Sequence, residues 1–237
     1  MSDVLSSFVA QLDTYGPLDD SDKAAVLALP VIVRTFLSET HVVRQGDVEG
    51  AFLILLQGFA TRQKLTGDGA RQIISLDIPG DPLNLPSLFL PSVDHGVLAL
   101  TNAMIASVPR QSAIHLLTTR PAIMQAFFKW ALVDASIGRE ALLNHGRRDA
   151  QARVAHYLCE HVARMEARNL IIGGVFTLPL TQEQLGDATG LTAVHVNRML
   201  NKMVASGLIA QKGRSFKIPS MAALRQAGDF RSQYLFL

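Results

Sequence analysis

The stretch that decides the fold is residues 180–218, LTQEQLGDATGLTAVHVNRMLNKMVASGLIAQKGRSFKI. Thr181 with Gln184 three places later has capping-box spacing, so a helix starts there. Gly190 breaks the pattern, and Thr192 opens a second helix over residues 193–206 after a turn of only a few residues. Helix, short glycine-containing turn, helix is the helix-turn-helix arrangement. Within the second helix Val196, Met199 or Leu200, and Met203 form an inward stripe. Ala193, Val194, Asn197 and Arg198 are left on or near the outer, N-terminal face, from which side chains reach base edges in a major groove. Residues 207–211, the turn 212–214 and residues 215–218 alternate like a two-stranded wing. Lys212 and Arg214 stand at its tip, placed for phosphates.

The charge distribution agrees with that placement. The formal net charge of +2 conceals 10 Lys+Arg against 14 Asp+Glu before His145, and 12 against 6 from His145 onward. An acidic front and a basic back imply that the back half meets a polyanion. Charge alone does not separate DNA, RNA and anionic lipid; the helix-turn-helix selects double-stranded DNA. The lone Cys159 permits no intramolecular disulfide and fits a reducing compartment, so a cytoplasmic location is expected. Residues 1–12 carry no basic leader signature, and the apolar run 51–56 is far short of a bilayer span. Neither secretion nor membrane insertion is expected.

Upstream, residues 4–29 read as two short helices broken at Gly16-Pro17, with Asp19, Asp20 and Asp22 as capping groups at the start of the second. From 31 to 108 short β-rich runs alternate with glycine, proline and aspartate turns, which argues for an antiparallel sandwich or small barrel. The clearest hairpin pairs residues 59–65 with 71–77 across a loop with two glycines. Pro121 opens a helix that runs to about Gly146. Its apolar positions Phe127, Trp130, Ile137 and Ala141 form a seam that Asp134 and Asn144 interrupt. A dimerising coiled coil and a helix packed partly on its own barrel are both consistent with it. A tight hinge is expected at 146–149, then a helix over 149–168 and a short strand at 176–178. The class is α+β, with domains at 1–118, 119–148 and 149–237.

These residues carry a family resemblance. Residues 180–186, 191–200 and 207–209 resemble the winged helix of the cyclic-AMP receptor protein/fumarate-nitrate regulator (Crp/Fnr) family. Arg44-Gln-Gly-Asp and Leu55-Leu-Gln-Gly-Phe-Ala resemble the β-turn glycines of its cyclic-nucleotide-binding-type barrel, a jelly roll. The resemblance implies a homodimer, joined through the long connecting helix, that binds a pseudo-palindromic operator, senses an effector through the barrel and works with RNA polymerase. Arg198 matches the family's guanine-reading arginine, whereas the family's arginine and glutamate before it fall on Ala193 and Val194, so another half-site is implied. Base reading is assigned to Arg198, Asn197, Val194, Ala193 and His195, and phosphate contact to Thr181, Thr192, Lys202, Lys212 and Arg214.

In the effector pocket, the family's ribose-binding pair falls on Asn84-Leu85 and its phosphate-binding pair on His95-Gly96. The helix pair that meets adenine falls on Gly138-Arg139. These three departures argue against cyclic AMP, and one cysteine does not build a four-cysteine iron–sulfur sensor. Haem stays open: His95 reads either as a haem ligand or, the favoured reading, as a residue ending a strand loop. His156, Cys159, Glu160 and His161 read as an ordinary packed helix and not as a metal set, and no cofactor is assigned. The apolar residues 83–90 either line a pocket or fill the barrel end. No catalytic motif stands out, so an enzyme is not expected; a ligand-binding module with little DNA-binding role is the alternative.

Overall fold

The first two helices are α1 (Ser6–Tyr15) and α2 (Asp20–Leu27), and the Asp19 side chain accepts from the Asp22 amide at the α2 N-terminus. The computed structural model describes residues 4–171 and 175–237. It contains two compact units, 1–132 and 133–237. In the first, β1 (Ile32–Phe36), β2 (Thr40–Val43), β3 (Ala51–Gln57), β4 (Ala60–Leu65), β5 (Arg71–Asp77), β6 (Gly96–Ala99) and β7 (Ala103–Pro109) form two antiparallel sheets. Their orders are β1-β7-β3 and β2-β6-β4-β5.

The expected hairpin is β4 against β5, with Ala60 opposite Asp77 and Leu65 opposite Arg71. Gly69 in its loop has φ +87°. Between β3 and β4, Gly58 has φ +83°, and a Cβ there would lie 2.4 Å from the Asn102 carbonyl, so only glycine fits the turn. One apolar cluster, including Val43, Leu53, Leu55, Leu83, Val97 and Ile105, fills the space between the sheets. A second joins α1, α2, β3, β7, α3 (Arg110–Thr119) and the start of α4 (Pro121–Arg147) around the rings of Phe8, Phe52 and Phe127, whose centroids lie 5.7–5.9 Å apart.

Of the two packings left open for this helix, the burial of Phe127 and Trp130 favours packing on its own domain over the first turns. Both belong to the buried core of the first unit, so they are not available to a second chain. Along α4 the exposed large apolar side chains are Phe128, Leu132, Leu142 and Leu143. With Ala135 and Arg139, positions 128, 132, 135, 139 and 142 alternate in steps of four and three. That is the a/d spacing of a coiled coil, on a different set of positions from the seam first read.

The second unit holds the end of α4, then α5 (Ala150–Ala167), β8 (Val175–Thr177), α6 (Gln182–Thr189), α7 (Ala193–Ala205), β9 (Ala210–Lys212), β10 (Ser215–Lys217) and α8 (Met221–Ala227). The Asp149 side chain accepts from the Ala152 amide and caps α5, where the hinge was expected. The strand read at 176–178 lies one residue earlier. It pairs with β10, whose other edge carries β9, and Phe176 stacks on Phe216 at 5.6 Å. The helix α8 and the 3-10 turn Ser232–Leu235 carry no sequence signal strong enough to anticipate them. They close the core over α5: Gly228 lies so near the backbone of His156 that a Cβ would come within 2.6 Å of its amide nitrogen. No described helix is long and apolar enough to cross a membrane.

Candidate nucleic-acid interface

The interface is built from the capping chemistry of two short helices. Thr181 accepts from the Gln184 amide, and the Gln184 side chain accepts from the Thr181 amide, so the capping box read from sequence is complete at the start of α6. Gly190 ends α6 in the left-handed conformation at φ +67°. Two residues later the Thr192 hydroxyl accepts from the His195 amide and starts α7. The sharp turn also needs Gly186, where a Cβ would lie 2.4 Å from the Leu191 carbonyl oxygen.

Burial then divides α7 into two faces. Val196, Met199, Leu200 and Met203 are buried, as the stripe required. Val194, Asn197, Arg198, Asn201 and Lys202 are exposed, while Ala193 and His195 are half-buried. Val194 is 82% exposed. On this face Arg198 Nη2 lies 2.6 Å from His195 Nε2. Gln182 of α6 and Asn201 were not singled out from the sequence, yet both bond Asn197, Gln182 through its Oε1 and Asn201 through its Nδ2. The i, i+4 spacing of Asn197 and Asn201 was a legible signal for the second contact; the first depends on how the helices cross. At the wing, Lys212 and Arg214 are exposed either side of Gly213, which has φ +61°.

In the first unit, the four pocket positions are brought side by side but their polar atoms serve the fold. Asn84 Oδ1 accepts from the Leu53 amide at 2.8 Å and its Nδ2 donates to the Ala51 carbonyl at 2.9 Å, stitching its loop to β3. Leu85 packs against the helical core cluster. His95 is buried, with Nε2 2.9 Å from the Leu83 carbonyl and Nδ1 3.0 Å from Asp94 Oδ1. The His95 ring, and then Lys64, hold the Asp94 carboxyl below the usual carboxylate range. Gly96 opens β6 and offers no side chain. The polar atoms of Asn84 and His95 are thus engaged by backbone and by Asp94. Leu83 and Leu88 are core residues, while Phe89 and Leu90 are exposed, so residues 83–90 fill the barrel end in part only. Cys159 is buried, and burial pushes its thiol up to about 12. Among the described residues no group of three or more His, Cys, Asp or Glu side chains is placed to hold a metal ion.

Comparison with known proteins matches residues 152–227 to the Crp-like helix-turn-helix domain and residues 33–120 to the cyclic nucleotide-binding domain. The nitrogen fixation regulation protein FixK of Bradyrhizobium diazoefficiens is 30% identical over 177 residues, covering 74% of this chain and 73% of the relative. The chain belongs to the Crp/Fnr family of transcription regulators. Within that family, the transcriptional activator protein FnrL of Cereibacter sphaeroides is 28% identical over 215 residues, 89% of this chain and 86% of its own. The structure of FixK2 from Bradyrhizobium japonicum has the same fold, with a TM-score of 0.73 over 84% of this chain and 98% of that one at 24% identity. This Crp/Fnr protein is thus a DNA-binding transcription regulator with a cyclic-nucleotide-binding-like domain ahead of its helix-turn-helix.

Proposed function

We propose that this regulator acts in the cytoplasm as a homodimer on a pseudo-palindromic operator, with RNA polymerase as a further partner and with an effector, where one is used, other than cyclic AMP. The observation that carries the reading is the two-faced α7: a fully buried inner stripe and an outer face presenting Val194, Asn197 and Arg198. Two copies would enter major grooves about one helical turn, roughly 34 Å, apart. Arg198 reads guanine by a two-pronged contact, and Val194 lies against a thymine methyl group. Ala193 supplies a small surface that lets the helix approach, and His195 supports Arg198. Thr181, Thr192, Lys202, Lys212 and Arg214 hold phosphates and set the register.

The exposed 128, 132, 135, 139, 142 stripe supports dimerisation through α4. Two features support a sensor that does not take cyclic AMP: the engagement of Asn84 and His95 with backbone, and the absence of an arginine at His95-Gly96. With both ring nitrogens of His95 turned to protein acceptors, haem ligation there would require that residue to leave its place. Signal passes to α7 as a shift in population at the 147–149 hinge.

In-vitro selection from a random duplex library at fixed salt tests the reading. The unsubstituted protein should recover a two-fold symmetric motif, and Arg198→Ala should lose a guanine from each half. Recovery of sequences without symmetry, or an identical motif from both proteins, would refute it.

A further inference from the structure

We propose that Asn197 reads an adenine in each half-site, its carboxamide held for that contact by Gln182 and Asn201. The inference rests on the reading of α7 as the base-contacting helix and adds the base that its second polar residue selects.

Asn197 Nδ2 donates to Gln182 Oε1 at 3.1 Å, and Asn197 Oδ1 accepts from Asn201 Nδ2 at 2.9 Å. A primary carboxamide has two N–H donors and two acceptor lone pairs. One of each is therefore engaged within the protein, and one donor and one acceptor remain on an exposed side chain of the outer face. The two contacts also tie the orientation of the amide to those of its two neighbours. Turning Asn197 over by itself would set its oxygen against Gln182 Oε1 and its nitrogen against Asn201 Nδ2. The group is thus pre-oriented before any ligand arrives, which reduces the ordering cost of a two-pronged contact.

The four bases differ in what they offer such a group. Adenine alone sets an acceptor, N7, beside a donor, the N6 amino group, in the major groove. Guanine presents two acceptors, which suit Arg198 with donors only; cytosine presents a donor, and thymine an acceptor beside a methyl group. Asn197 and Arg198 are neighbours on one helix, about 100° apart around its axis, so they address different bases. His195 is not a rival for the adenine, because its Nε2 is turned to Arg198.

Selection with the full chain, with Asn197→Ala, Asn197→Asp and Arg198→Ala, and with Gln182→Ala and Asn201→Ala, decides the matter. The unsubstituted protein should show an adenine column in each half-site, preferred by roughly 5- to 150-fold over other bases. Asn197→Ala should flatten that column while the guanine column of Arg198 persists. Asn197→Asp, an acceptor only, should move it toward cytosine. Gln182→Ala and Asn201→Ala should weaken that one column without changing Tm or non-specific affinity, as positioning residues do. Replacing N7 of the selected adenine by carbon should weaken binding of the unsubstituted protein and leave Asn197→Ala unaffected. An unchanged motif in Asn197→Ala overturns the proposal. So does a uniform loss of affinity with a shallower salt dependence, which would make Asn197 a phosphate contact. A motif with neither column in the unsubstituted protein would instead remove the underlying reading of α7.

Discussion

Arg148 donates from Nη2 to Glu140 Oε1 at 2.7 Å, tying the last turns of α4 to the connection that follows it. The same nitrogen reaches the Asp229 carbonyl at 3.1 Å and Oδ2 at 3.3 Å, so the segment after α8 is fastened to the same point. The Arg148 side chain is only 8% exposed and that of Glu140 20%. Removing one partner leaves the other charged in a poor environment, which costs more than the pair contributes. Arg148→Met should destabilise the second unit by roughly 3 kcal/mol, and adding Glu140→Gln should recover much of that loss. Hydrogen exchange of the α5 amides in the single and double variants checks it. Additive losses would mean that the two side chains are not coupled.

Gly186 faces the Leu191 carbonyl at a distance that admits no methyl group. Gly186→Ala must therefore push α6 from α7 or break the turn, and a loss of about 2–4 kcal/mol is expected, in line with overpacking at backbone. Calorimetry should show a lowered Tm. Specific DNA affinity should fall further than that of an exposed control such as Ala210→Ser. Wild-type stability in the variant would show that the turn has slack.

The helix-turn-helix was legible because its signals are local. Thr181 and Gln184, Gly190, Thr192 and the Val196/Met199/Met203 stripe each act within a few residues, and each does in the structure what its spacing implied. The barrel strands were legible from their turns, as was the pairing of β4 with β5, but not the irregularity in their register between Arg62 and Gln63. What stayed hidden depends on contacts remote in sequence. Whether Phe127 or Phe128 faced outward turned on one residue of helical phase, decided by the Phe8 and Phe52 rings. The roles of Asn84 and Gln182 needed β3 and α7 beside them. Helix α8 has a weak sequence pattern and forms because Leu224 and Phe230 find a core to enter.

Two buried histidines set an acid limit on stability. Burial, aided by Arg148, lowers His156 from 6.5 to about 4, and burial with Arg164 nearby lowers His161 to about 3. Both rings are neutral in the folded protein at neutral pH. The unfolded chain takes up protons near 6.5 while the folded chain does not, so stability falls as pH drops below that value. The decline ends near pH 4 for His156 and pH 3 for His161. Each contributes a loss of about 2 kcal/mol by pH 5. Burial raises the Glu160 carboxyl, which acts in the opposite sense, because its protonated form is favoured in the folded state and stability from it is lost as pH rises. Urea denaturation at pH 7 and pH 5 should show a net loss, and His161→Gln should reduce it. Equal stability at the two pH values, or an unchanged difference in the variant, would contradict the assignment.

The neighbouring phenylalanines of α4 should separate folding from assembly. Phe127 lies in the core at 6% exposure, with its ring 5.7 Å from both Phe8 and Phe52, so Phe127→Ala removes buried volume and should cost about 3–5 kcal/mol. Phe128 is 63% exposed in the isolated chain and heads the 128, 132, 135, 139, 142 stripe. Phe128→Glu sets a charge on that seam. It should raise the dimer dissociation constant at least tenfold, an effect of about 1.4 kcal/mol, while leaving the Tm of the monomer unchanged. Sedimentation across a concentration series, with thermal unfolding of the same samples, measures both. Phe127→Ala should shift the melting curve first, and any change in assembly should follow the loss of folded protein. If Phe128→Glu leaves the dimer intact, or if the unsubstituted chain sediments as a monomer at every concentration, α4 does not join two copies through this stripe. The surface covering Phe128 and Leu132 would then have to be sought elsewhere.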